Sequence, residues 1–190
     1  MRGGGHSWDL RIYTELPFIT RLPSGLYCPW GESYGPTCQA ALKTPAGIVC
    51  LVSALWVHGL VPAEPLEVDL AIGAHAHRPR WRVPPVRFFR MRRAHLDADV
   101  ETRDIDSIPC PVFTLPRTIV DCLRFRQKIS DAWGPKALRD ALERDLVTRG
   151  QLESTAQRVR GVGLLRAALA RYEEGGGCSL AASVCRNPRK

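Results

Sequence analysis

The hydrophobic period of this chain changes at Leu115, and that change restricts the possible folds more than any other feature. Before it, several short stretches place apolar residues at every second position; after it, apolar residues recur at intervals of three and four. The first spacing belongs to strands with two unlike faces, the second to helices with one buried stripe. Leu66 to Ile72 sets Leu66, Val68, Leu70 and Ile72 against Glu67, Asp69 and Ala71, predicting a half-buried strand. Val86 to Met91, Val100 to Ile105 and Pro111 to Leu115 predict three more. Pro109 and Pro111 put the last near a sheet edge or at a strand start, because proline cannot donate to a ladder. Helices are expected over Pro116 to Gln127, over Pro135 to Val147, from the capping-box pattern Thr148-x-x-Gln151, and around Leu164 to Tyr172. Strands followed by a run of helices give the α+β class: a small antiparallel or mixed sheet, then a C-terminal helical bundle.

The N-terminal part is less regular. Residues 1–17 carry no clear period and are unassigned. Phe18 to Leu22 and Leu26 to Trp30 read as a hairpin around Pro23-Ser24-Gly25, where glycine supplies the positive φ of a tight turn. Gly31 to Lys43 reads as a linker. Thr44-Pro45 reads as a helix start, with threonine as cap and proline at the first helical position, and Gly59 as its stop. Between them Ile48, Val49, Leu51, Val52, Leu55, Trp56 and Val57 leave almost no polar face, so this helix is expected to be central and buried. Ser53 and His58 are its polar exceptions, and His58 is expected to complement the C-terminal helix dipole. The expected organisation is a wing-like hairpin and linker over 18–43, an α/β domain over 44–174, and a disordered tail over 175–190.

Charge is concentrated. The 190 residues carry 27 Lys and Arg against 19 Asp and Glu, a formal net charge of +8. Between Leu70 and Leu96 stand Arg78, Arg80, Arg82, Arg87, Arg90, Arg92 and Arg93, with no acidic residue among them. So dense a field attracts polyanions, of which nucleic acid is the commonest partner. Trp81, Phe88 and Phe89 are interleaved and could anchor the basic strand to a core or stack on bases. A solvated basic loop without a ligand is the plain alternative. Seven cysteines without a C-x-x-C pair fit neither a zinc module nor a disulfide framework, so a reducing, cytoplasmic setting is expected. There is no signal-peptide pattern, and the longest apolar run, Ile48 to Val57, is too short to cross a bilayer, so no membrane partner is expected.

Candidate chemistry is sparse. Glu67 and Asp69 share a strand face, as the carboxylates of a metal-dependent nuclease would, but no lysine lies between Lys43 and Lys128. Solvation or arginine pairing is the favoured reading of those acids. His75, His77 and His95 could ligate a metal, but arginines surround them and repel a cation. Asp121 lies four residues after Arg117 and three before Arg124, spacing for intrahelical pairing, and Arg124, Arg126 and Lys128 make a smaller basic surface. Ser53 lacks a G-x-S-x-G elbow and Gly161-x-Gly163 is no phosphate loop. No catalytic residue, cofactor or metal is assigned, and the chain is read as a non-enzyme.

The order of motifs resembles a known family. R-L-P-S-G-L-Y (Arg21 to Tyr27) is followed by T-P-A-G-I-V-C-L-V-S-A-L-W-V-H-G-L (Thr44 to Leu60) and L-E-V-D-L-A-I (Leu66 to Ile72). Then come R-P-R-W-R-V-P-P-V-R (Arg78 to Arg87), R-T-I-V-D-C-L-R-F-R-Q-K-I (Arg117 to Ile129) and A-L-R-D-A-L (Ala137 to Leu142). Over residues 18–173 the chain resembles the AbiEi antitoxins of type IV toxin–antitoxin (abortive infection) systems of bacteria. The resemblance implies an N-terminal winged helix-turn-helix, a mixed α/β C-terminal domain, and repression by operator binding. It also implies neutralisation of a nucleotidyltransferase-like toxin without a stable complex. Arg21, Gly25 and Tyr27 would belong to the wing, and the arginines from 78 to 93 to a DNA-facing surface. The helices that precede such a wing have no counterpart before Phe18, so the chain reads as an N-terminally truncated relative carrying a remnant of that motif, or as one whose true start lies upstream. The alternative is a protein-interaction domain that docks an acidic partner, or the toxin, without DNA.

Overall fold

The computed structural model describes residues 19–22, 25–29 and 33–174. The unassigned stretch 1–17, the turn pair Pro23-Ser24 and the tail 175–190, expected to be disordered, lie outside the described residues. The chain is α+β, with seven strands and eight helices among those residues. In order they are β1 (Ile19–Arg21), β2 (Tyr27–Pro29), α1 (Pro36–Lys43), β3 (Ile48–Val49), α2 (Leu51–Val57), β4 (Val68–Gly73), β5 (Val86–Met91) and α3 (Arg93–Leu96). Then follow β6 (Val100–Ile105), β7 (Ile108–Phe113), α4 (Leu115–Arg124), α5 (Arg126–Ile129), α6 (Trp133–Glu143), α7 (Arg149–Val159) and α8 (Val162–Glu174).

β1 and β2 form the expected hairpin, with Arg21 opposite Tyr27 and Gly25 at φ 85°. The other five strands make a mixed sheet in the order β5-β4-β3-β7-β6. β4 and β5 are parallel, as are β3 and β7; β3–β4 and β6–β7 are antiparallel. The β6–β7 turn, Asp106-Ser107, has φ of 52° and 63°, the doubly positive pair that matches the twist of a two-residue hairpin. Neighbouring residues of each strand feed different layers. Ile48, Ala71, Phe89 and Phe113 face the C-terminal helices, while Val49, Leu70 and Val112 face α1 through Cys38, Ala40 and Ala41. Helix α4 runs through the helical layer against α2, α6, α7 and α8, and is buried from Arg117 to Leu123. The capping box at Thr148 forms as its sequence requires: Thr148 Oγ1 accepts from the Gln151 amide and Gln151 Oε1 accepts from the Thr148 amide.

Four expectations need correction. The stretch read as a linker contains α1, and Thr44 is the C-cap of that helix rather than the start of the next. The helix expected from Pro45 begins only at Leu51, because Ile48 and Val49 are drawn into the middle of the sheet between β4 and β7. There both faces are covered by apolar layers, and two β-branched side chains gain more from sheet burial than from one more helical turn. Leu51 then takes left-handed backbone, φ 47°, to turn the chain into α2; it is fully buried, which offsets a conformational cost of about 1–2 kcal/mol. β4 is not half-buried: both of its faces are covered, Asp69 included. β7 begins at Ile108 and is an interior strand, yet β3 meets it only at Val112. Pro109 and Pro111 fall past the end of β3, where no neighbour needs their amides.

Candidate nucleic-acid interface

Strand parity separates the two arginines of β5. In β5 Phe89 and Met91 face the helical layer, so Arg87 lies on that side and Arg90 on the other. Arg87 is withdrawn into an ion-pair network. Its Nε donates to Asp69 Oδ1 at 2.8 Å, Nη2 lies 2.7 Å from the same oxygen, Nη1 is 3.4 Å from Glu67 and donates to the Lys128 carbonyl. Arg93 pairs with Asp97 at 3.2 Å, one turn along the short helix α3. Arg78, Arg80, Arg82, Arg90 and Arg92 are exposed, and none has a carboxylate partner among the described residues.

Local structure holds two of these in place. Arg78 lies over the Phe88 ring at 5.6 Å, and Phe88 meets Trp81 edge-to-face at 6.1 Å, which fastens the 78–82 loop to the strand. Arg90 donates to the Ala74 carbonyl at 2.6 Å, tying strand to loop while leaving the rest of its guanidinium outward. The result is an open depression of about 650 Å³ lined by His75, His77, Arg78, Pro79, Arg80 and Arg90, together with Ala76. No acidic side chain lines it. Arg21, Gly25 and Tyr27 sit together on the β1–β2 hairpin, with Arg21 and Gly25 exposed.

The remaining candidates have partners. Asp69 accepts from the Val52 amide at 3.1 Å as well as from Arg87, and its own amide donates to Ser53 Oγ at 3.0 Å. It thus caps the start of α2 from the sheet, and a guanidinium occupies the position where a metal would meet Glu67 and Asp69. Burial outweighs that guanidinium and raises the Asp69 pKa to about 6. Among the described residues no cluster of three or more His, Cys, Asp or Glu side chains is placed to hold a metal. His58 is the C-cap of α2: Nε2 meets the Phe113 carbonyl at 2.8 Å, Nδ1 lies 3.9 Å from Glu101, and burial lowers its pKa. A second polar cavity beside His58, about 700 Å³, has its arginines neutralised, Arg158 by Asp99 and Arg103 by Glu101. Cys28, Cys38, Cys50, Cys110 and Cys122 are buried thiols, and burial raises the pKa of Cys50 and Cys122.

One arrangement was not readable from spacing alone. Arg117 and Asp121 pair at 2.7 Å as their i, i+4 spacing allows, but both side chains are wholly buried. Arg117 also reaches the His95 carbonyl at 2.9 Å and stacks on Phe113 at 4.5 Å, so it binds α3 to the helical layer. Ile119, Val120, Cys122 and Leu123 between and beside the charged pair were the available signal: a helix apolar on every other side has little solvent to offer them.

No family model and no curated protein matches the chain. Among solved structures, its fold is similar to that of the RV2827C protein from Mycobacterium tuberculosis, with a TM-score of 0.55 and 15% sequence identity. The match covers 85% of this chain and 68% of that one. At that identity the likeness shows the fold alone. No helix among the described residues is long and apolar enough to cross a membrane.

Proposed function

We propose that this chain is a DNA-binding regulator of the antitoxin type, acting in the cytoplasm without a cofactor. The observation that carries the reading is the set of five exposed guanidiniums at Arg78, Arg80, Arg82, Arg90 and Arg92 with no carboxylate partner, three of them with Pro79 and two imidazoles around an acid-free depression. Guanidinium groups held in place by ring and carbonyl contacts lose less freedom on meeting phosphate than free ones would. Contacts of this kind position a duplex and supply affinity without reading its sequence. The resemblance to AbiEi antitoxins adds the wing residues Arg21, Gly25 and Tyr27 to that surface, and a nucleotidyltransferase-like toxin as the functional partner.

Anisotropy titration of a labelled duplex across salt tests the reading. Five phosphate contacts predict a log–log slope of about −4.5, or about 500-fold weaker binding from 50 to 200 mM salt. Arg78→Gln, Arg80→Gln and Arg90→Gln should each flatten the slope by about one, whereas Arg87→Gln should leave it unchanged because Asp69 already holds that side chain. Affinity indifferent to salt would overturn the proposal. Co-expression with a nucleotidyltransferase-like toxin should restore growth without co-purification; a stable stoichiometric complex would favour the protein-docking alternative.

A further inference from the structure

A second cavity adjoins the arginine-lined depression and has a different chemistry. It measures about 770 Å³ and shares His75, Ala76 and His77 with its neighbour. Its most buried lining residues are apolar, Ile48 and Ile72 from the two faces of the sheet end, with half-buried Leu96 and exposed Ala46 also in the wall. Its rim carries two guanidiniums, Arg92 and Arg93, beside the imidazoles of His75 and His77, with Asp97 as the one acid, already engaged by Arg93. Thr44 is also in the wall, and its hydroxyl is buried with no hydrogen-bond partner among the described residues. The cavity opens at the carboxyl ends of β4 and β5, the parallel pair, through Gly73, Ala74 and Arg92. That is the end of parallel strands at which open sheets commonly offer a ligand crevice.

An apolar interior suits a flat ring, and a cationic rim suits a phosphate attached to it. A closed duplex presents phosphates but keeps its bases stacked, so it could use the rim and leave the interior empty. We propose that this cavity receives one unpaired nucleobase, with the adjoining phosphate on Arg92, and that the surface therefore prefers single-stranded or frayed nucleic acid to closed duplex. The proposal rests on reading the neighbouring arginines as facing nucleic acid. The chemistry it names is a nucleotide unit, which could come from a strand or from a free nucleoside monophosphate.

The test compares three probes on the whole chain by anisotropy and fluorescence: a single-stranded dodecamer carrying one 2-aminopurine, the blunt duplex of the same sequence, and free adenosine monophosphate. The single strand should bind about tenfold more tightly than the duplex at equal salt, as one base buries apolar surface against aliphatic side chains. The 2-aminopurine should brighten as it leaves its stacked neighbours. Ala46→Trp fills the cavity from an exposed position and should remove both the preference and the brightening; Ala46→Leu should do so in part. Arg92→Gln should weaken the single strand more than the duplex.

Salt-dependent duplex binding with no single-strand preference and no fluorescence change would overturn this inference while leaving the DNA-binding reading intact. Binding of free adenosine monophosphate alone, sensitive to Ala46→Trp, would support the cavity's nucleotide chemistry and overturn the polymer reading. Binding of none of the three would overturn both.

Discussion

Replacing Asp69 by asparagine should make the protein less sensitive to rising pH. The carboxyl is completely buried, and its surroundings pull its proton affinity in two directions. Arg87 and the Val52 amide favour the charged form; loss of water disfavours it and prevails, raising the pKa from 3.8 to about 6. At about 1.4 kcal/mol for each tenfold change in proton affinity, that displacement is worth about 3 kcal/mol. The unfolded chain has the ordinary carboxyl, so between these two values the native state binds more protons than the unfolded one. Stability from this group is therefore full below about pH 4 and lost as pH rises through about 6. Asparagine keeps an oxygen for Val52 or Arg87 and does not ionise. Urea titrations of wild type and Asp69→Asn from pH 4 to 7 should show their stability difference moving by about 3 kcal/mol toward the asparagine variant. A constant difference, or a wild type that gains on the variant with rising pH, would mean that Arg87 controls the carboxyl and would refute the argument.

Four other substitutions probe the layers separately. Arg117→Ala leaves Asp121 buried with only half-exposed Arg124 as ion partner, and should cost about 3–5 kcal/mol by denaturant midpoint; a loss below about 1 kcal/mol would mean that water reaches the pair. Gly150→Ala and Gly134→Ala should act oppositely although both glycines are helical. A methyl at 150 meets nothing within 4 Å and should stabilise by about 0.5–1 kcal/mol, whereas one at 134 would approach Leu123 Cδ2 to 2.7 Å and its amide nitrogen to 3.0 Å, lowering the melting temperature. Thr148→Ala removes one half of the capping box on α7 and should cost about 1 kcal/mol by thermal denaturation, with no effect on DNA binding.

Elements whose instructions are local were legible in the amino-acid order alone. β5 runs over the six residues its pattern specified, and Thr148 with Gln151 opens α7 as a capping box must. The i, i+4 pairing of Arg117 with Asp121 was likewise legible, as was the anchoring of the arginine loop by Trp81 and Phe88. Each depends on residues within a turn or a strand of one another, so no distant partner can veto it. Where two local readings competed, contacts between distant segments made the choice. Ile48-Val49 could extend a helix or form a strand, and β4 and β7 on either side chose strand. Asp69 looked like one face of a half-exposed strand until the helical layer covered it, and that burial took Arg87 away from the basic surface. Arg87 and Arg90 are three residues apart and equally charged; the pleat sends one toward a buried carboxylate and the other toward solvent. Charge is a property of the chain, but the field it makes depends on which side chains keep their counterions, and that is settled by packing between segments far apart in sequence.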